Sequence, residues 1–215
     1  MHRKFNSVIV STVAVFIVMV LASIEPLKWS SYLFHQLGTL LFLGLMTLAY
    51  RYWHISSRSY VLAAIFLIIH IIGARYLYSY VPYDDWTEQL FGVRLNEWFG
   101  LQRNMYDRLV HFSYGLLLFG AMVEISKSIS KIQSIKLLIA IALMINMSSS
   151  LLYELLEWGI ATTLSPEAAE AYNGQQGDIW DAHKDMALAL LGGLIAAGIL
   201  LFQASIQTHI FNNNR

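Results

Sequence analysis

The chain has 215 residues, of which 57% are hydrophobic and only 13% are charged, and its mean hydropathy is +0.53. Soluble domains have about 45–50% apolar and about 25% charged residues, so this composition excludes a disordered chain, a nucleic-acid binder and an ordinary water-soluble enzyme. The 14 basic and 14 acidic residues balance and no cysteine is present, which excludes disulfides, thiolate metal sites and a cysteine nucleophile. The sequence therefore predicts an integral membrane protein.

Six stretches are long and apolar enough to span a bilayer, which needs roughly 20 mostly apolar residues. They cover about 6–24, 33–50, 60–80, 107–126, 134–157 and 185–206. The first apolar run is longer than the usual core of a signal peptide, so we predict a retained first helix. Because no repeat or linker divides the chain, the prediction is an all-α, polytopic membrane helix bundle that forms a single domain over residues 1–215.

The basic residues of the short loops predict the orientation, because lysine and arginine are enriched on the cytoplasmic side. On one predicted side lie Arg3, Lys4, Arg51, Arg58, Lys127, Lys131 and Lys136. Both termini are then cytoplasmic, and two long loops, about 81–106 and 158–184, lie on the outer side. Of the 14 acidic residues, only Glu124 falls on the inner side.

Three groups of ionisable residues lie at predicted helix ends on this outer side. They are Asp107 and His111 at the start of the fourth span, Glu154 and Glu157 at the end of the fifth, and Asp178, Asp181 and Asp185 at the start of the sixth. Within each group the spacing of three or four residues places neighbours on one helix face. Because the predicted topology brings the groups to one depth, we expect the seven side chains to converge.

Six converging carboxylates need cations nearby, because each anion raises the pKa of the others. One divalent metal ion, or a pair, would supply that charge. A set rich in oxygen with one imidazole suits Mg²⁺, Mn²⁺ or iron better than a structural zinc site, and di-metal helix bundles use carboxylates and histidines at this spacing. We therefore predict that the seven residues bind a divalent metal, with Mn, Mg, Fe and Zn all left open.

The same acids have structural interpretations that stay open. An aspartate at a helix start can cap the helix and complement its dipole, which would explain Asp107 and Asp178. Glu154 and Glu157 lie at a helix C-terminal end, where the dipole disfavours anions. These glutamates could instead form salt bridges with nearby arginines or with Lys184.

Several further polar residues could contact a substrate. Arg75, Arg103, Asn104 and Arg108 are candidate substrate-binding residues, since arginine forks match phosphate oxygens; the arginines could equally be counter-ions of the acids. His70 in the third span could reach the site, although a lone histidine in an apolar helix is more often a hydrogen-bonded core residue.

Three motifs around these residues resemble a known family. They are Arg103-Asn104-x-x-Asp107-x-x-x-His111-Phe112, Tyr153-Glu154-x-x-Glu157-Trp158 and Gly174-x-x-Gly177-Asp178-x-Trp180-Asp181-x-x-x-Asp185-Met186. Together with His70 and the segment 78–82, they resemble the YjdF-type family of bacterial inner-membrane proteins, and a looser likeness is to VanZ-like membrane proteins. The resemblance implies a multi-pass protein of the bacterial inner (plasma) membrane. Since that family is a domain of unknown function, it implies neither a reaction nor a metal.

Our first functional hypothesis is a metal-dependent membrane enzyme of the hydrolase type, with its site at the outer membrane face. A bound metal would lower the pKa of water or polarise a phosphoryl or carbonyl oxygen, and Glu154 or Glu157 would act as general base. The depth of the site favours a lipid or lipid-linked substrate. The alternatives are a divalent-cation transporter or sensor and a non-catalytic membrane scaffold with a salt-bridge network.

Overall fold

The computed structural model describes residues 2–165, 169 and 172–213. Within these residues the fold is entirely helical, with eight helices and no strand. The helices are α1 (His2–Ala22), α2 (Trp29–Tyr52), α3 (Ser57–Arg75), α4 (Tyr83–Phe91), α5 (Leu95–Phe99), α6 (Tyr106–Ser130), α7 (Ile135–Ala161) and α8 (Asp181–Asn213). The prediction of an all-α fold is confirmed.

Five of the described helices are long and apolar enough to cross a membrane. They are α2, α3, α6, α7 and the part of α8 from Asp181 to Ile206. A shorter apolar stretch, Asn6–Ala22, lies within α1 and corresponds to the first predicted span. A helical membrane bundle is thus confirmed, whereas the orientation of its ends remains a prediction.

The third helix ends earlier than its apolar pattern indicates. α3 stops at Arg75, before the predicted end at about 80, because Leu77 and Tyr78 adopt a left-handed backbone with φ of 51° and 55°. The Tyr78 N–H then donates to the Gly73 carbonyl at 2.8 Å. This turn folds the Tyr78 ring against Gly73, where any Cβ would overlap it, and directs its hydroxyl back along α3 to His70.

Two glycines let α6 and α8 pack with their backbones in contact. A Cβ added at Gly115 would overlap the Ala189 carbonyl, and one at Gly192 would overlap the Phe112 carbonyl. Small residues at such crossings are the usual route to close packing of helices in membranes. The contact brings the first turns of α6 and α8, which carry the predicted acidic residues, against each other.

The segment before α6 is held in place by hydrogen bonds to Val81, Tyr83 and Gln176. The Met105 N–H donates to the Tyr83 hydroxyl at 2.8 Å, and the Asn104 side-chain amide donates to the Val81 carbonyl at 2.9 Å. Gln176 is hydrogen-bonded to both backbone groups of Asn104. These bonds fix the start of α6 against the segment that leads into α8.

Candidate functional site

Two arginines and two aspartates form a group of ion pairs, which we call the Arg108 cluster (Arg103, Arg108, Asp178 and Asp181); Arg108 and Asp181 are buried, and the other two are half-buried. Arg108 Nη2 lies 2.5 Å from Asp181 Oδ1 and 3.1 Å from Asp178 Oδ2. Arg103 Nη1 lies 2.7 Å from the same Asp181 oxygen. Two cations thus balance two anions, and the cluster joins the start of α6 to the start of α8.

Asp178 has further hydrogen-bond partners that explain the low pKa of its carboxyl. Lys184 Nζ lies 2.6 Å from its Oδ2, and the Trp180 N–H donates to its Oδ1 at 3.0 Å. These hydrogen bonds, that of Lys184 first, hold the pKa of the Asp178 carboxyl below its ordinary value. Asp178 therefore organises the turn into α8, as the capping interpretation proposed for this residue.

A second group, which we call the His111 cluster (Asp107, His111, Glu154 and Asp185), surrounds an imidazole with carboxylates. One oxygen each of Asp107 and Asp185 and one ring nitrogen of His111 lie within 4.8 Å of one another. His111 Nε2 is 3.7 Å from Asp107 Oδ1, and its Nδ1 is 3.7 Å from Glu154 Oε1. All four residues are buried, at most 9% exposed.

The charges around the His111 cluster are less evenly matched than those around Arg108. Arg108 Nη1 lies 2.6 Å from Asp185 Oδ1, which links the two clusters. In the described part of the chain, the Glu154 Oε1 atom has no hydrogen-bond partner. Because a buried carboxylate is costly without a cation, proton or hydrogen bond, this group has the chemistry to accept a cation.

The structure places six of the seven predicted metal ligands in two clusters instead of one. Three of them, Asp107, His111 and Asp185, come together, and Glu154 stands beside His111. Asp178 and Asp181 face the arginines instead. The seventh, Glu157, lies one turn further along α7, on the wall of a cavity.

The predicted substrate-binding residues are all engaged with other parts of the protein. Arg103 and Arg108 pair with aspartates, as the counter-ion alternative proposed. Arg75 Nη1 donates to the Leu21 carbonyl at 2.9 Å and ties α3 to the end of α1. The Asn104 side-chain amide donates to the Val81 carbonyl. The geometry gives each of these residues a structural role.

A cavity of about 430 Å³ lies beside the His111 cluster, within the size range of small-molecule sites. Polar lining residues are His35, Thr39, His70, Tyr78, Asp107, His111, Tyr114, Ser149, Ser150, Tyr153, Glu157, Tyr172 and Asn173. Apolar side chains of α2, α3, α6 and α7 form the rest of its wall. Leu41 of α2 and Leu156 of α7 line the cavity and are 66% and 54% exposed, so the cavity reaches the apolar outer surface of the bundle.

Three histidines from three spans line this cavity, and sequence reasoning missed one of them. His35 is 5% exposed, and its ring stacks on Tyr172 with the ring centres 4.9 Å apart. His70 Nδ1 is 2.9 Å from the Tyr78 hydroxyl, consistent with a hydrogen-bonded histidine. His111 is the third. An ionisable residue inside an apolar helix is a signal of function in membrane proteins, and that signal could have identified His35.

The comparisons with known proteins agree with the predicted resemblance. The family model described as "Predicted membrane protein (DUF2238)" matches residues 7–205. The inner membrane protein YjdF of Escherichia coli (strain K12) is 29% identical over 199 residues, which cover 90% of each chain. No solved structure matches the chain. The likeness predicted from the motifs is therefore confirmed, and it extends over the first two spans as well.

Proposed function

The chain belongs to the DUF2238 family of membrane proteins, and we propose that it is a metal-dependent membrane hydrolase that acts on a lipid or lipid-linked substrate. The relative in Escherichia coli is an inner membrane protein, in agreement with the location predicted for this chain. The proposal assigns the metal to Asp107, His111 and Asp185, with Glu154 beside them. It assigns the substrate to the adjoining cavity.

One observation carries this proposal: three buried metal-ligating side chains from α6 and α8 converge at a cavity that reaches the apolar surface. Ligand atoms of Asp107, His111 and Asp185 approach to within 4.8 Å of one another, and two of these residues line the cavity. Two carboxylates and one imidazole form a donor set that suits Mn²⁺, Fe²⁺ or Zn²⁺. A substrate that enters from the bilayer would meet them directly.

The position of Glu154 gives it a supporting role in this proposal. Histidine ligands usually donate their second ring N–H to a carboxylate, which fixes the tautomer and the ring orientation. A small rotation would turn the 3.7 Å approach of Nδ1 to Glu154 into such a hydrogen bond. His111 Nε2, which faces Asp107, would then be free to bind the ion.

Glu157 is the general base in this scheme, because it lines the cavity one helical turn from Glu154. The bound metal would lower the pKa of a water molecule and polarise the substrate oxygen. Glu157 accepts a proton from the water, the hydroxyl joins the carbonyl carbon or phosphorus, and the ester bond breaks. The leaving alcohol takes up the proton that Glu157 accepted, so that one water is consumed for each bond cleaved.

The scaffold alternative fits a different part of the molecule. The Arg108 cluster is charge-balanced and ties α6 to α8, which is what a structural salt-bridge network does. We therefore assign that cluster to stability and the His111 cluster to chemistry.

Metal content is the test of the proposal. We expect the detergent-purified chain to hold a stoichiometric divalent ion by elemental analysis and Asp107→Asn to lose it. Asp85→Asn, which removes an exposed acid paired with Arg94, is the matched control and should keep the ion. With the ion bound, vesicles of ester and phosphoester lipids should release product, and Glu157→Gln should abolish that release. No ion after incubation with Mn²⁺, Mg²⁺, Fe²⁺ and Zn²⁺ would overturn the proposal, as would an ion retained by Asp107→Asn.

A further inference from the structure

We propose that His35 accepts a hydrogen bond from the hydroxyl group of a single-chain amphiphile whose apolar chain lies in the cavity. This inference names the substrate class and rests on the proposed function only for the reaction that follows binding. It depends on a histidine that belongs to neither the His111 cluster nor the Arg108 cluster.

The hydrogen bonding of His35 fixes which ring nitrogen can accept. Its Nδ1 lies 2.7 Å from the backbone carbonyl of Ser31, and a carbonyl oxygen only accepts, so Nδ1 carries the hydrogen. In a neutral imidazole the other nitrogen, Nε2, then has a free lone pair. The neutral form is the one expected for a buried ring that stacks on Tyr172, because an unpaired buried charge is costly.

His35 Nε2 is buried and has no hydrogen-bond partner in the part of the chain that the structure describes. The whole residue is 95% buried, since its exposed fraction is 5%, and it lines the cavity. A buried acceptor without a donor costs free energy. A ligand that brings an O–H group to this nitrogen would remove that cost.

A second unpartnered group faces the same cavity from the opposite helix. Ser150 of α7 is 4% exposed, and its hydroxyl likewise lacks a partner among the described residues. The His35 acceptor and the Ser150 hydroxyl together favour a head group with more than one free hydroxyl. Among molecules that dissolve in a bilayer, monoacylglycerols have this chemistry.

The rest of the cavity suits one apolar chain. On the side of α2 the wall includes Phe34, Leu41 and Leu45, all of which are at least 49% exposed on the outer surface of the bundle. A volume of about 430 Å³ suits one small head group with the adjoining part of one chain, and the remaining chain can extend into the bilayer. The head group at His35 would share this chamber with His111 and Glu157.

Ligand preference tests the inference. The probes are 1-oleoylglycerol and methyl oleate, which share the acyl chain but differ in free hydroxyls, and binding is measured by native mass spectrometry of the detergent-purified, EDTA-treated chain. One buried hydrogen bond predicts about tenfold preference for oleoylglycerol. His35→Phe keeps an aromatic ring against Tyr172 and should bind both probes equally. His183→Phe, at an exposed histidine of α8, is the matched control and should keep the preference.

A cavity-filling variant keeps the test decisive if His35→Phe does not fold. Gly38 lies one turn from His35 and lines the cavity, and a Cβ there meets nothing within 4 Å. Gly38→Leu should therefore fold and lose binding of both probes. Gly44→Leu is its control, because Gly44 lies on the same helix with the same free space but outside the cavity lining.

The results separate this inference from the proposed function. Equal binding of the two probes by the wild type, a preference that survives His35→Phe, or unchanged binding by Gly38→Leu would each overturn the inference. A chain that binds metal but shows no preference retains the metal proposal alone. A chain that prefers oleoylglycerol but binds no metal retains the His35 site alone.

Discussion

The Arg108 cluster and the His111 cluster share the first turns of α6 and α8 but differ in charge balance: acids and bases are paired in the first, and acids are in excess in the second. Asp107 and Arg108 are adjacent in sequence, yet one faces an imidazole and the other faces aspartates. Neighbouring residues on a helix point in different directions, about 100° apart. One turn of α6 therefore serves two purposes: it anchors α8 by ion pairs and presents two side chains to a cavity.

Asp185 is the residue that joins the two clusters. Its Oδ1 lies 2.6 Å from Arg108 Nη1, while the same carboxylate belongs to the group with Asp107 and His111. A short contact between opposite buried charges restrains the carboxylate. The charge-balanced cluster therefore also positions one side chain of the other.

The largest expected effect is on stability, from removal of the central cation of the Arg108 cluster. Arg108→Gln leaves buried aspartates without their partner, and breaking a buried ion pair costs about 3–5 kcal/mol. Arg94→Gln is the matched control, since Arg94 also pairs with several acids but its side chain is 35% exposed, and exposed ion pairs contribute little to stability. Reversible unfolding in mixed micelles with SDS measures both. Equal losses would show that the two kinds of ion pair do not differ as the comparison requires.

An intermediate effect is expected on metal binding, from the carboxylate behind His111. Glu154→Gln should weaken the affinity about 10- to 100-fold, the usual effect of removing the partner of a histidine ligand. Asp178→Asn is the control, because Asp178 faces Arg108 and Lys184, and it should leave the affinity within about twofold of wild type. Isothermal titration with Mn²⁺ compares them. A loss in Asp178→Asn as large as that in Glu154→Gln would restore the single seven-residue site predicted from the sequence.

The sequence determined the fold class and most helix positions, because long apolar runs have one structural solution in a bilayer. It also predicted that Asp107, His111, Glu154 and Asp185 approach one another near one end of the bundle, as they do in the structure. The boundary of α3 was less predictable. Its apolar pattern continues past Arg75, and the left-handed turn at Leu77 and Tyr78 depends on the packing of the Tyr78 ring over Gly73.

The sequence could not predict which basic residue or histidine each acidic side chain contacts. Helical spacing places Asp178, Asp181 and Asp185 in one row but does not tell which of them an arginine on another helix will reach. The close approach of α6 and α8 at Gly115 and Gly192 decides this, and it is a property of the tertiary packing. The partners of His35 depend in the same way on contacts between distant segments.

The smallest expected effect is a dependence on pH at the edge of the Arg108 cluster. The Asp178 carboxyl has a depressed pKa in the folded chain, first because of Lys184. A carboxyl of this kind contributes stability above its unfolded pKa, about 3.9, and the contribution is lost as pH falls through the lower folded value. The difference in unfolding temperature between wild type and Asp178→Asn should therefore be constant near neutral pH and shrink under acid conditions.

A variant of Lys184 tests whether this lysine causes the pH dependence. Lys184→Gln removes the strongest cause of the depressed pKa of Asp178, so the difference in unfolding temperature should become smaller, and its loss should be complete at a higher pH. Lys136→Gln, at an exposed lysine of α7, should leave the profile unchanged. Asparagine at 178 still offers an oxygen to the Trp180 N–H, so the comparison isolates the charge. An unchanged profile in Lys184→Gln would show that Arg103 and Arg108, and not Lys184, stabilise the Asp178 carboxylate.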